Sequence, residues 1–237
     1  MNKIVVLTGA GISQESGLDT FRDANGIWAK YNMEEVCTLE GFKKNPEKLH
    51  EFYNQLRSNL PKYLPNAAHI ALAKLEQAVL KKEIEAELVL ITQNIDDLHE
   101  RAGSRFLYHM HGELYKIRCT TCDRRMEWHK SCFPYTSCPY CHAVTLRPDI
   151  VWFGEMPYYM QEIERALSDC NLFVAIGTSG VVYPAAGFVN EVQGRAKTIE
   201  LNLEHSMGTS NFDESWQGSA TELVPEFVNY LLNAYQK

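Results

Sequence analysis

The sequence predicts an α/β fold with a doubly wound parallel sheet and a small metal-binding insertion. Four apolar, branched runs, at 4–8, 88–92, 172–177 and 198–203, each end in small polar residues. Runs of this kind read as strands buried on both faces, as in parallel sheets covered by helices. Helical patterns lie between them. A Cys- and Pro-rich stretch at about 118–145 breaks the rhythm with no strand-length apolar run, and reads as an inserted module.

The first run, Ile4-Val5-Val6-Leu7, leads into Gly9-Ala10-Gly11, with Ser13, Ser16 and Gly17 behind it. A strand entering a glycine turn at a helix start is a dinucleotide-binding arrangement. Backbone N–H groups face phosphate oxygens there, and missing side chains permit close approach. The usual fingerprint wants a third small residue where Gln14 stands, and glycine also serves tight turns for steric reasons alone. Among the helices, 46–60 opens with Pro46 and sets Leu49, Phe52, Tyr53 and Leu56 on one face. Next, 66–81 starts at the N-cap candidate Asn66 and keeps Ile70, Leu72, Leu75 and Val79 apolar. The last, 222–235, aligns Leu223, Phe227, Leu231 and Tyr235 as the stripe of a docked terminal helix.

Thr92-Gln93-Asn94-Ile95-Asp96 emerges at the C-terminal end of the second run, where open α/β sheets hold ligands. Asn and Asp there can donate to and accept from a carboxamide, or simply cap the helix beginning near Leu98. His109-Met110-His111-Gly112 ends another predicted strand. Its two imidazoles, two residues apart, should share a face. His111 is the candidate general base, beside a glycine that leaves room for a substrate. Gly177-Thr178-Ser179-Gly180 and Asn202-Leu203-Glu204 repeat the strand-then-polar pattern, so several strand ends converge on one crevice. The apolar, aromatic segment 151–155 reads as a strand, either an edge for an extended peptide or part of the core.

Cys119-x-x-Cys122 and Cys138-x-x-Cys141, with 15 residues between the pairs, form two knuckles suited to one structural zinc. Four thiolates leave no position for water, and so small a segment would fold only around its metal. Cys132 is a substitute ligand without a partner at knuckle spacing, and His129 and His142 are expected at the surface. A zinc ribbon that binds nucleic acid is the rival reading of this module. The net charge of −7 argues against it, because phosphate binding needs a basic surface. That charge suits basic peptide segments.

The remaining composition is ordinary: 237 residues, 45% hydrophobic and 22% charged, enough for a full core. No run of eighteen apolar residues exists, so no membrane span is expected. Met1-Asn2-Lys3 passes straight into a run too short for a signal-peptide core. An odd count of seven cysteines favours metal over disulfides, and the chain is expected to be cytoplasmic.

The motifs GAGIS-x-ESG-x-x-TFR, TQNID-x-LH, HGEL, the paired cysteines, VWFGE, GTS-x-x-VYP and NLE follow one another in this order. Together they resemble the sirtuins over residues 5–227. The likeness is nearest to the compact bacterial members of the class that removes acidic acyl groups. It implies a Rossmann-like NAD-binding domain of residues 1–115 and 146–237, with a helical subdomain at about 30–65 and a zinc module at 116–145. The implied activity is NAD-dependent protein-lysine deacylation, with acylated proteins or peptides as partners and NAD consumed.

By that resemblance Gly9, Ala10, Gly11, Ser13 and Glu15 line the NAD turn. Thr20, Phe21, Arg22 and Trp28 belong to the mobile cofactor loop, with Phe21 shielding the reacting sugar carbon. Gln93, Asn94, Ile95 and Asp96 hold the nicotinamide and its ribose, and His111 is the general base. Gly177, Thr178, Ser179, Asn202, Leu203, Glu204 and Ala220 contact the adenosine half. Val151, Phe153, Gly154 and Glu155 pair with the peptide as an added strand. The implied reaction joins the acyl oxygen to the ribose carbon as nicotinamide leaves, and yields free lysine and O-acyl-ADP-ribose.

One departure bears on the substrate. The acidic-acyl class carries Tyr-x-x-Arg to clamp a distal carboxylate, whereas Tyr53 is followed three residues later by Leu56, with Arg57 one further on. One residue turns a helical side chain by about 100°, so Arg57 is expected to point elsewhere. Cys37 stands where that class has a small alanine. Both changes predict deacetylation, extending to longer neutral acyls, and weak desuccinylation. ADP-ribosyl transfer to a protein side chain, which uses the same cofactor cleavage, is the enzymatic alternative.

Overall fold

The computed structural model describes residues 2–18 and 31–235. Thr20, Phe21, Arg22 and Trp28 lie outside the described residues. In chain order the first half holds β1 (Asn2–Thr8), α1 (Gly11–Gln14), α2 (Met33–Val36), α3 (Leu39–Lys44), α4 (Pro46–Asn59), α5 (Ala67–Leu80), β2 (Ala86–Thr92), α6 (Leu98–Ala102) and β3 (Leu107–His109). Then follow β4 (Gly112–Cys119), β5 (Arg125–Glu127), β6 (Leu146–Ile150), α7 (Met160–Ser168), β7 (Leu172–Ile176), α8 (Phe188–Val192), β8 (Lys197–Asn202), β9 (Glu214–Gln217) and α9 (Ala220–Ala234).

Six strands form a parallel sheet in the order β3-β2-β1-β7-β8-β9. The two faces of each apolar run go to different cores. Ile4 and Val6 pack with α5 and α9, while Val5 and Leu7 join a second cluster with α7 and α8. This two-sided burial is why the runs carry no polar alternation. Strand order reverses between β2-β1 and β1-β7, which opens a crevice at their C-terminal ends.

A second, antiparallel sheet in the order β5-β4-β6 leaves the main sheet after β3 and returns before α7. Its far end packs Ile117, Leu146, Cys119, Cys132 and Cys138 together. Helices α2 to α4 build a third cluster around Phe52, Tyr53, Leu49 and Val36, against Leu114, Ile150 and Trp152 of the insertion's root.

Two expectations change. Segment 151–155 is no strand: the paired strand is β6, immediately before it, and only an isolated bridge joins Phe153 to Thr38. Ile70, expected on the apolar face of α5, is 56% exposed, because Ala68, Ala71, Leu72, Leu75 and Ala78 supply the packed face.

Buried histidines make stability depend on pH. Burial lowers His50 and His69 to about 4, so both stay neutral when folded and gain protons near 6.5 when unfolded. Their contribution is complete above pH 6.5 and is lost as pH falls toward 4. Thermal melts at pH 7 and pH 5 should show a clearly lower midpoint at pH 5.

Candidate active site

The glycine turns interlock. Gly9 donates its amide to Ile176 O at 2.9 Å and Gly11 donates to Gly177 O at 2.9 Å. A Cβ on Gly9 would sit 2.8 Å from Gly177 O, and one on Gly11 would sit 2.7 Å from Gly177 Cα. Glycine is therefore required here because the turns after β1 and β7 touch. The amides of Gly9 and Gly11 are spent on that contact.

The turn after β2 ties in beside them. Asn94 Nδ2 donates to Gly9 O and to Ser13 Oγ, both at 3.1 Å. Ser13 Oγ donates to Asp96 Oδ2 at 3.1 Å, and Leu98 N donates to Asp96 Oδ1 at 3.0 Å. Asp96 thus accepts the first amide of α6, whose N-cap is Asp97, and also faces the crevice. Burial pushes its carboxyl up to about 6, against the pull of these bonds. Each Asp96 oxygen retains a further acceptor position for an amide N–H.

The two imidazoles of 109–112 part company, because β3 ends at His109 and the strand alternation stops there. His109 turns to Glu100 Oε1 at 2.6 Å and to Asn94 O at 3.1 Å. His111 faces the cavity, and its Nδ1–H donates to Gln93 O at 3.1 Å, which leaves the Nε2 lone pair for chemistry. Burial lowers its pKa below the ordinary 6.5, so the imidazole is neutral at pH 7. Gly112 has φ 85°, and a Cβ there would overlap the Asp149 carbonyl. That glycine serves the chain path, because the Asp149 carbonyl fills the space a side chain would take.

These groups line one cavity of about 1660 Å³. Gly9, Ala10, Gly11, Ser13 and Glu15 come from the first turn, and Gln93, Asn94, Ile95 and Asp96 from the second. Gly177, Thr178, Ser179, Asn202, Leu203, Glu204 and Ala220 close one end. Cys37, Tyr53, Leu56, Val151, Phe153, Gly154 and Glu155 close the other. Some of their polar groups serve the protein itself. Glu15 accepts from Thr221 N at 2.9 Å and from its hydroxyl at 2.7 Å, capping α9, and Asn202 Nδ2 donates to Thr178 O at 2.9 Å. Sequence reasoning missed Tyr31, Met33, Trp152 and Val181 in the wall, where only general hydrophobicity marks them.

The wall formed by Tyr53, Trp152 and Cys37 is neutral. Trp152 Nε1 donates to Tyr53 Oη at 3.0 Å, and that hydroxyl lies 3.8 Å from Cys37 Sγ. Burial raises Cys37 to about 11 and raises Tyr53 well above its usual value. Arg57 is not on the cavity: its Nε donates to Leu114 O and its Nη1 to Asn54 Oδ1, both at 2.9 Å. Among the described residues no Lys or Arg lines this space.

Cys119, Cys122, Cys138 and Cys141 come together with their sulfurs within 4.8 Å of one another. Sulfur separations of 3.6 Å for Cys119–Cys141 and 3.8 Å for Cys122–Cys138 match the about 3.8 Å edge of a tetrahedral zinc thiolate. Cys132 stays outside the cluster, and its backbone N and O both bond the Asn54 side chain. Stripping zinc with a chelator should unfold the insertion, which rising protease sensitivity at 118–145 would report, with a single zinc released per chain.

Comparison with known proteins agrees with this geometry. The Sir2 family model matches residues 9–184. An NAD-dependent protein deacylase of Salmonella typhimurium is 52% identical over 97% of this chain and 84% of its own length. A Sir2 homologue solved as an NAD complex superposes with a TM-score of 0.88 at 38% identity, covering 99% of this chain and 91% of that one. A Sir2 protein solved with deacetylated p53 peptide and 3'-O-acetyl ADP-ribose gives 0.81 at 30% identity, covering 96% and 92%. The chain belongs to the Sir2 family.

Proposed function

We propose that this protein is an NAD-dependent protein-lysine deacylase that prefers neutral acyl groups. The single observation that supports this most is His111. Its imidazole is neutral, its tautomer is set by Gln93 O, and its Nε2 faces the space between the nucleotide turns and the Tyr53 pocket.

Bound NAD supplies a ribose carbon that an acyl oxygen can attack, with nicotinamide as leaving group. The protein's part is to hold and to move protons. In this reading Asp96 accepts from the nicotinamide amide, with Gln93, Asn94 and Ile95 shaping the same wall, and Asn202, Ser179 and Glu204 face the adenosine end. His111 Nε2 accepts the proton of a ribose hydroxyl as that hydroxyl attacks. Tyr53, Leu56 and Cys37 enclose the acyl chain, and 151–154 receives the peptide. The zinc sits apart at Cys119, Cys122, Cys138 and Cys141 as a structural ion. Residues 1–115 and 146–237 form the NAD-binding domain in this assignment, with helices at about 30–65 and the zinc module at 116–145 appended.

A panel of acyl-lysine peptides with NAD tests the reading, following nicotinamide and O-acyl-ADP-ribose. Modified protein in place of O-acyl-ADP-ribose would favour ADP-ribosyl transfer. The acidic limb of the kcat/KM profile should carry an apparent pKa below 6.5, because His111 works unprotonated and burial depresses its pKa. No helix of the described residues is long and apolar enough to cross a membrane. The seven unpaired cysteines suit a reducing cytoplasm.

A further inference from the structure

We propose that Arg147 and Glu155 act as paired positioning residues for the acyl-lysine peptide, holding segment 151–154 in the shape that receives it. This rests on the deacylase reading above. The segment has no strand partner, so something other than a β-ladder must fix it. Among the described residues, two of its backbone bonds reach across the fold, Val151 N to His111 O and Phe153 N to Cys37 O, each at 2.9 Å.

Glu155 supplies the rest. Its Oε1 accepts from Arg147 Nη1 at 2.7 Å, and its Oε2 accepts from Arg147 Nη2 and from Trp152 N, both at 2.9 Å. Arg147 is 5% exposed, donates to Ile150 O at 2.7 Å and stacks 3.4 Å from the centroid of Trp152. The indole so held donates to Tyr53 Oη. One partly buried ion pair therefore fixes both the backbone edge beside His111 and the wall of the acyl pocket.

What it leaves free is the outer face. Phe153 is 56% exposed, and nothing lies within 4 Å of a Cβ built on Gly154, whose φ is 86°. An edge that is already held in shape loses less entropy when an extended peptide adds to it. Glu155, expected to pair with the peptide, thus also supports that edge.

Glu155→Gln removes the charge that Arg147 needs, and Arg147→Lys keeps the charge while losing the two-point fork and the stacking. With an acetyl-lysine peptide, Glu155→Gln should raise peptide KM about tenfold while kcat and the KM for NAD stay within about twofold. Arg147→Lys should fall between that variant and the wild type. Anisotropy of a labelled acetyl-lysine peptide, without NAD, should show the same order of weakened binding, and it reads binding independently of turnover. Unchanged peptide affinity in Glu155→Gln overturns the proposal, as does an equal rise in both KM values. Should Glu155→Gln fail to fold, Arg147→Lys with wild-type peptide affinity overturns it as well. Failure of the deacylase reading looks different, since the wild type would then release no nicotinamide with any acyl peptide.

Discussion

His111→Ala is expected to lower deacylation by about 10²–10⁴-fold, the usual contribution of a positioned general base. The loss should fall on kcat, since the ring is placed to take a proton and its removal leaves the cavity walls intact. Folding should survive, because the ring is anchored through its Nδ1–H bond to Gln93 O and is only half-buried. Zinc content and melting temperature should therefore match the wild type while nicotinamide release nearly stops. Undiminished turnover would remove His111 from the reaction. The neighbouring His109 makes a control of opposite kind. Its ring is buried and bonded to Glu100 and Asn94 O, so His109→Ala should cost stability first.

Leu56→Arg is expected to raise kcat/KM for succinyl-lysine about 10- to 100-fold while acetyl-lysine turnover falls. A charged hydrogen bond to a carboxylate contributes about 1.5–3 kcal/mol. The wild-type pocket offers a distal carboxylate little: Tyr53 already receives the Trp152 indole, Cys37 lies beside the same hydroxyl, and Arg57 is bonded to Leu114 O and Asn54. Position 56 lies on the cavity wall about one helical turn from Tyr53, where a guanidinium would face the acyl end. Turnover of acetyl- and succinyl-lysine peptides by both proteins checks this. A wild-type enzyme that already prefers succinyl-lysine would refute the neutral-pocket reading.

The strands of the main sheet were legible because each run is apolar on both faces, and Ile4, Val5, Val6 and Leu7 do divide between two cores. Strand β9, with Glu214 and Gln217 at its ends, carried no such signal, being a half-exposed edge. Segment 151–155 misled for a physical reason. Its Trp152 is buried against Arg147 and Tyr53, while Phe153 faces out, so apolar composition had two unrelated causes. In α5 Ala68, Ala71 and Ala78 share the packing with Leu72 and Leu75, and a search for large apolar residues overlooks the alanines. The site's chemistry was readable as motifs at strand ends. Which polar groups are already committed to one another was not, since the bonds of Asn94, Ser13 and Glu15 join residues 81, 83 and 206 positions apart.

The mutual contact of Gly9, Gly11 and Gly177 has a consequence for how such a crevice can diversify. Any side chain at one of the three would pry neighbouring strand ends apart, so the nucleotide half of the cleft cannot be remodelled a single substitution at a time. Freedom to vary lies across the gap instead, at positions such as Leu56 and Cys37, where a new side chain meets open volume. A lineage built on this scaffold can thus exchange the chemical group it removes while the means of removing it stays locked.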